Sequence, residues 1–135
     1  MYTDTDETLL LKRVMPSQFW QSVTGSMKWD ETVPVKSALR ELREETGIHV
    51  QQSDIRDWNQ TFEFEILPNF RHRYPPDATF NTEHMLSVKL PEPYAVTLSP
   101  TEHEEYKWQS IDLAIETVWS WTNRRALQMI RQEGR

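Results

Sequence analysis

Apolar and polar positions change their spacing several times along the chain, and each change predicts an element. The run "TLLLKRV" (8–14), with Leu9, Leu10 and Leu11 in succession, predicts a short strand. "MPSQFWQSVTGS" (15–26) reads as a loop followed by a second extended piece. "QTFEFEIL" (60–67) alternates apolar and acidic residues at period two, the mark of a half-buried strand. Prolines and asparagines make "PNFRHRYPPDATFNTEH" (68–84) a loop. "MLSVKL" (85–90) and "YAVTL" (94–98), separated by "PEP", read as strands, and "EEYKWQS" (104–110) as one more. From Ile111 the period is helical. A short helix is expected over 111–117 and a longer one over 119–133, with Trp119, Ala126, Leu127 and Ile130 facing inward.

The segment "GSMKWDETVPVKSALRELREETGI" (25–48) is the most heavily charged. Pro34 opens a helix there and Gly47 closes it, the punctuation expected of a first helical position and of the residue just past the last. At about 100° per residue, Val35, Ala38, Leu39, Leu42 and Thr46 fall on one face. Glu41, Glu44 and Glu45 fall within an arc of roughly 100° beside it. Arg40 precedes Glu44 by one helical turn and can pair with it. Three carboxylates thus share one solvent-facing strip. Such a strip is either an ordinary charged exterior or a place for a hard cation such as Mg²⁺, which carboxylate oxygens suit and which relieves their mutual repulsion.

Strands mixed with helices at both ends of the sheet point to an α+β domain, built as an α/β/α sandwich. A chain of 135 residues, 37% apolar, fits a single domain over 1–135 with a real core. The formal charge of −6 argues against a nucleic-acid partner, whose phosphates need a basic face. No cysteine is present, so disulfide and thiolate chemistry are excluded. The acidic start of the chain and its run of three leucines form neither a signal peptide nor a membrane span, and a soluble cytoplasmic protein is expected.

Gly25, Glu31, Arg40, Glu41, Leu42, Glu44, Glu45, Gly47 and Ile48 together resemble the Nudix box, G-x5-E-x7-R-E-U-x-E-E-x-G-U with U bulky and apolar. Eight residues separate Glu31 from Arg40 where that pattern has seven. The extra one is placed in "ETV", which keeps the helical register and makes Asp30 an alternative to Glu31. The resemblance implies a mixed sheet between helices and hydrolysis of a phosphoanhydride with Mg²⁺, or Mn²⁺, as cofactor. It further implies Glu41 and Glu45 as metal ligands and Glu44 as a further ligand or the residue that positions water. Glu102 matches the family's acid outside the box, which completes the metal site or activates water; Glu105 is the second choice. The implied catalytic set is therefore Glu41, Glu44 and Glu102, and the metal set Glu41, Glu45 and Glu102.

The segments "FWQSVTGS", "FEFEI", "RHRYPP", "NTEH", "TEHEEYKW" and "WSWTNRRA" are similar to a bacterial branch of this family that acts on small-molecule triphosphates. The implied substrate is dihydroneopterin triphosphate, of folate biosynthesis, with dATP weaker. A general sanitiser of deoxynucleoside triphosphates is the other enzymatic reading, and a regulatory Nudix domain without turnover the non-enzymatic one. Arg71 and Arg73, flanking His72, would clamp the anionic tail, since guanidinium groups bind phosphate oxygens in pairs. Trp20 or Phe19 would stack on a flat heterocycle or pack in the core, and Trp29 would flank the substrate. Lys12 is a further substrate-binding candidate. His84 and His103 are too isolated to argue as metal ligands. Relatives open with an apolar strand of which Met1 and Tyr2 remain here, so a truncated N-terminal strand and an exposed or partner-covered sheet edge near residues 9–11 are expected.

Overall fold

The computed structural model describes residues 1–14, 19–23, 33–66 and 80–134. In chain order its elements are β1 (Tyr2–Thr3), β2 (Glu7–Arg13), β3 (Trp20–Gln21), α1 (Pro34–Thr46), β4 (Ile55–Glu65), β5 (Phe80–Leu90), β6 (His103–Ser110), α2 (Ile111–Thr117) and α3 (Trp121–Gly134), with one 3-10 turn, Gln52–Asp54, ahead of β4. The strands form one mixed sheet in the order β3-β2-β1-β5-β4, with β6 on β2. The β1–β5 pair is parallel and the rest are antiparallel.

The three leucines occupy the middle of this sheet and are fully buried. Successive side chains of a strand point to opposite faces. Leu10 therefore joins Met85, Ile111, Ala114, Ile115, Val118, Leu127 and Ile130 in the core beneath α2 and α3. Leu9 and Leu11 turn to the other face, the one covered by α1, where Leu42 packs on Val88 and Leu90. The helices thus sit on both faces, and the expected α/β/α sandwich is the fold.

Local chemistry holds each element. Pro34 starts α1, and Gly47 ends it at φ 71°, the left-handed conformation that glycine adopts without strain, its N–H donating to the Arg43 carbonyl. The Ser110 hydroxyl caps α2 by accepting from the Leu113 N–H. Arg124 donates to the carbonyls of Ile115 and Val118, both at 2.9 Å, and so fixes the corner between α2 and α3.

Three expectations are corrected. Residues 9–11 are no sheet edge. β6 pairs with β2 along its whole length on one side, and β1 and β3 lie on the other. Met1 contributes as well, its carbonyl accepting from the Leu9 N–H (3.1 Å) and the Thr8 hydroxyl (2.8 Å). Residues 94–98 form no strand, because their backbone is used elsewhere: the Thr97 N–H bonds the Thr46 carbonyl at the end of α1, and the Tyr94 carbonyl accepts from the Trp108 indole. β5 begins at Phe80, inside the segment read as a loop, and β4 begins at Ile55. Hairpin pairing from Glu65 with Phe80 to Ile55 with Val88 uses the backbone alone and is indifferent to polar side chains.

Candidate metal centre

α1 lies on the sheet through Leu42 and Thr46, and Glu45 is buried with them at 5% exposure. This corrects the solvent-facing strip. Glu45 stands three residues after Leu42 and shares its side of the helix, so docking Leu42 takes Glu45 inward too. Glu41 is mostly covered and Glu44 stays exposed. Arg40 binds both, Nη2 meeting Glu41 Oε1 at 2.9 Å and Nη1 meeting Glu44 Oε2 at 3.0 Å.

The wall facing Glu45 is the turn ahead of β6. The N–H groups of Glu102 and His103 both donate to the Ser99 carbonyl, at 3.0 and 2.9 Å. The Val14 N–H donates to the Glu102 carbonyl, which ties this turn to the end of β2. Glu45, Glu102 and His103 are thereby brought together, with one ligand atom of each within 4.8 Å of the others. Oε2 of Glu45 is buried with no hydrogen-bond partner among the described residues. Burial first, then the charges of Glu41 and Glu102 and a hydrogen bond with Glu102, push the Glu45 carboxyl up to about 9, against an opposing pull from Arg13. Burial also raises Glu41, although Arg40 offsets part of the effect.

A buried carboxylate oxygen without a donor, crowded by two further carboxylates, fits a divalent cation. Glu45 and Glu102 are hard oxygen donors, Glu41 adds charge, and the His103 imidazole supplies a nitrogen. His103 corrects the expectation that it stood apart: it is fully buried beside both acids. Its position next to Glu102 in "TEHEEY" was the available signal, since β6 starts there and carries the ring inward. Arg13 and Gln21, both buried, were also missed. Arg13 is the register partner of His103, and Gln21 Nε2 lies 3.4 Å from His103 Nε2.

Two expected substrate contacts are not brought to these acids. Lys12 alternates with Leu11 and so points to the opposite face, where it pairs with Glu104 (3.5 Å) and Glu105 (3.4 Å). That pairing also separates Glu105 from the metal group, leaving Glu102 as the acid in place. Trp20 packs on the core beneath α2 and α3, with Lys107 Nζ 4.2 Å from its ring centroid, and Phe19 stacks on Trp119. Gly47 stands at the end of α1, where a Cβ would meet the Thr97 Cβ at 3.2 Å. Gly25, Trp29, Asp30, Glu31, Arg71, His72 and Arg73 lie outside the described residues.

The family model described as NUDIX domain matches residues 1–129. A dihydroneopterin triphosphate diphosphatase of Escherichia coli strain K12 is 42% identical over 127 residues, which cover 93% of this chain and 83% of that protein. One of the same name from Haemophilus influenzae is 38% identical over 131 residues, 95% of this chain and 81% of that protein. The solved structure of the E. coli dihydroneopterin triphosphate pyrophosphohydrolase superposes with a TM-score of 0.85 at 40% identity, covering 93% of this chain and 86% of that one.

Proposed function

This chain belongs to the NUDIX family, and from that premise we propose that it is a pyrophosphohydrolase cleaving dihydroneopterin triphosphate to the monophosphate and pyrophosphate, with dATP a weaker substrate. Identity of 42% to a diphosphatase of that name supports the substrate. The observation that carries the chemistry is the buried, donor-less oxygen of Glu45 facing Glu102. We assign Glu41, Glu45 and Glu102 to hold Mg²⁺, with Mn²⁺ as the alternative. A divalent ion held there would neutralise phosphate charge and polarise phosphorus.

The protein's own groups do the rest. Arg40 holds Glu41 and Glu44 by ion pairs, which fixes their carboxylates relative to Glu45. Glu44, exposed at the rim, is assigned to orient the attacking water and take its proton. The water oxygen bonds to phosphorus as one P–O–P bond breaks, and the electron pair leaves with the departing phosphate oxygen. Arg71 and Arg73 are assigned to the triphosphate tail. The net charge of −6 favours a small-molecule partner over nucleic acid. No described helix is long and apolar enough to cross a membrane, and we place the enzyme in the cytoplasm.

Retention of all three helix acids favours turnover over a purely regulatory domain. Side-by-side kinetics test both the class and the substrate. Pyrophosphate release is expected only with Mg²⁺ or Mn²⁺, with the highest kcat/KM for the pterin triphosphate and a lower one for dATP. A higher kcat/KM for ADP-ribose or a dinucleoside polyphosphate would refute the substrate. Metal-dependent binding of triphosphates without any product would refute the enzyme.

A further inference from the structure

β5 carries a half-buried carboxylate that the hydrolysis does not use. Glu83 pairs across the hairpin with Phe62, and it shares the face of Met85, directed towards α3. Burial holds its carboxyl above the ordinary range, and a hydrogen bond with Thr122, the second residue of α3, offsets part of that. Among the described residues no cation enters this balance. A carboxylate has about four acceptor positions, so one hydroxyl leaves most of them for another donor. An aromatic wall stands beside it. Phe62 meets Trp121 edge to face at a centroid distance of 6.0 Å, while Trp121 keeps 52% of its surface open.

This cluster is joined to the metal centre through β3. Gln21 Nε2 lies near His103 Nε2, and Gln21 Oε1 accepts from the Trp119 indole at 3.5 Å. The N–H and hydroxyl of Ser22 donate to Asn123 Oδ1 at 2.9 and 3.1 Å. Trp119 and Asn123 bracket Thr122 in the chain. From Trp119 to Thr122 is three residues, at most about 10 Å of backbone. Thr8 of β2 and Lys89 of β5 both stand opposite Tyr2, and the two strands run in opposite directions, so Arg13, the register partner of His103, is level with the Glu83 end of β5. Glu83 and the acids of α1 therefore lie towards one end of the sheet, with Phe62 and Trp121 on the Glu83 side.

We propose that Glu83 determines ring specificity: its carboxylate accepts two parallel hydrogen bonds from the ring N–H and the adjacent exocyclic amino group of a 2-amino-4-oxopteridine, with Trp121 against the face of the ring. Such a fork of two donors matches a carboxylate as a guanidinium does. The inference rests on the pterin triphosphate reading above, and the same edge exists on guanine, which makes the two separable.

The test is the ratio of kcat/KM for dGTP over dITP, which differ by the 2-amino group alone, in the full chain and in Glu83→Gln and Glu83→Ala, with dihydroneopterin triphosphate run alongside. The wild-type chain is expected to favour dGTP by about 10-fold or more, because leaving a desolvated acceptor unpaired is costly. Either substitution should bring that ratio towards one and weaken the pterin substrate by a similar factor, mainly through KM. A ratio of two substrates on one preparation does not depend on the folded fraction, so a misfolded variant cannot imitate the result. An unchanged ratio, no wild-type preference for dGTP, or a wild-type KM for the pterin in Glu83→Ala overturns the proposal. If the pterin is a poor substrate but the ratio collapses, the substrate reading fails and the role of Glu83 stands.

Discussion

The two faces of the sheet are built for different ends. Beneath α2 and α3 lies the larger apolar core, eight buried residues from Leu10 to Ile130. Beneath α1 the buried apolar residues include Leu9, Leu11, Leu42, Val88 and Leu90, and much of what is buried around them is polar: Arg13, Gln21, Glu45, Thr46 and His103. Fully burying a Leu or Ile stabilises by about 1.5–3 kcal/mol, whereas burying a carboxylate costs free energy unless a cation or donors meet it. One face therefore holds the molecule together while the other tolerates a destabilising cluster because the rest of the fold is stable enough. Helix α1 therefore carries acids that its own packing on Val88 and Leu90 does not require.

Glu45→Gln puts the acid-bearing face to the most severe test. Activity should fall by about 1,000-fold, as expected for loss of a group that acts on developing phosphate charge, while the fold survives. Without metal the variant should melt at the same or a higher temperature than wild type, since glutamine enters the buried site without the proton uptake that Glu45 requires there. Wild-type turnover at saturating Mg²⁺ would remove Glu45 from the metal site. The counterpart on the other face is Leu127→Ala. It should lower unfolding free energy by about 3 kcal/mol through the cavity it leaves, with kcat per folded molecule within about twofold of wild type. A large loss of kcat in fully folded Leu127→Ala would show that the two faces are not independent.

The burial of Glu45 also makes stability depend on pH. Glu45 titrates at about 9 in the folded, metal-free chain against an ordinary 4.5. Its native state thus holds the proton more tightly than the unfolded chain, so this contribution to stability is full below about pH 4.5 and is lost as pH rises to about 9. In chelator, Tm should be roughly 5 °C or more lower at about pH 8.5 than at about pH 6, and Mg²⁺ should restore more at the higher pH. A Tm independent of pH in chelator would contradict the assigned burial. The smallest effect expected is from Gly47→Ala, about 1 kcal/mol of stability in a denaturant titration, from the left-handed φ and the approach to Thr97. No loss at all would mean that the end of α1 can relax without disturbing Glu45.

Periodicity and punctuation were enough for much of this fold. Pro34 and Gly47 mark α1 to the residue, and the helical period marks α2 over 111–117, because caps and amphipathic spacing act between neighbours in the chain. The carboxylates at 41, 44 and 45 were legible for the same reason, since a helix places residues three and four apart side by side. Where partners came from afar, local pattern failed. "YAVTL" has the composition of a strand, yet its backbone bonds the end of α1. Residues 9–11 resembled an edge until β6, some hundred residues later, took the adjoining place. Glu45 looked solvent-facing because a wheel shows which residues share a side but not which side docks.

The candidate site divides along the same line. Residue types, the helical register of the acids and the place of Glu102 in a loop before a strand are properties of short stretches, and all were legible there. Packing between distant segments set the rest: Glu45 is buried, His103 joins it, Lys12 and Trp20 turn to the opposite face, and Glu83 stands across from Phe62 on the side of Thr122. Those outcomes depend on which strands neighbour each other and which way each side chain points across the sheet. Both are fixed by packing between segments far apart in the chain, where a one-residue change of register exchanges one face for the other.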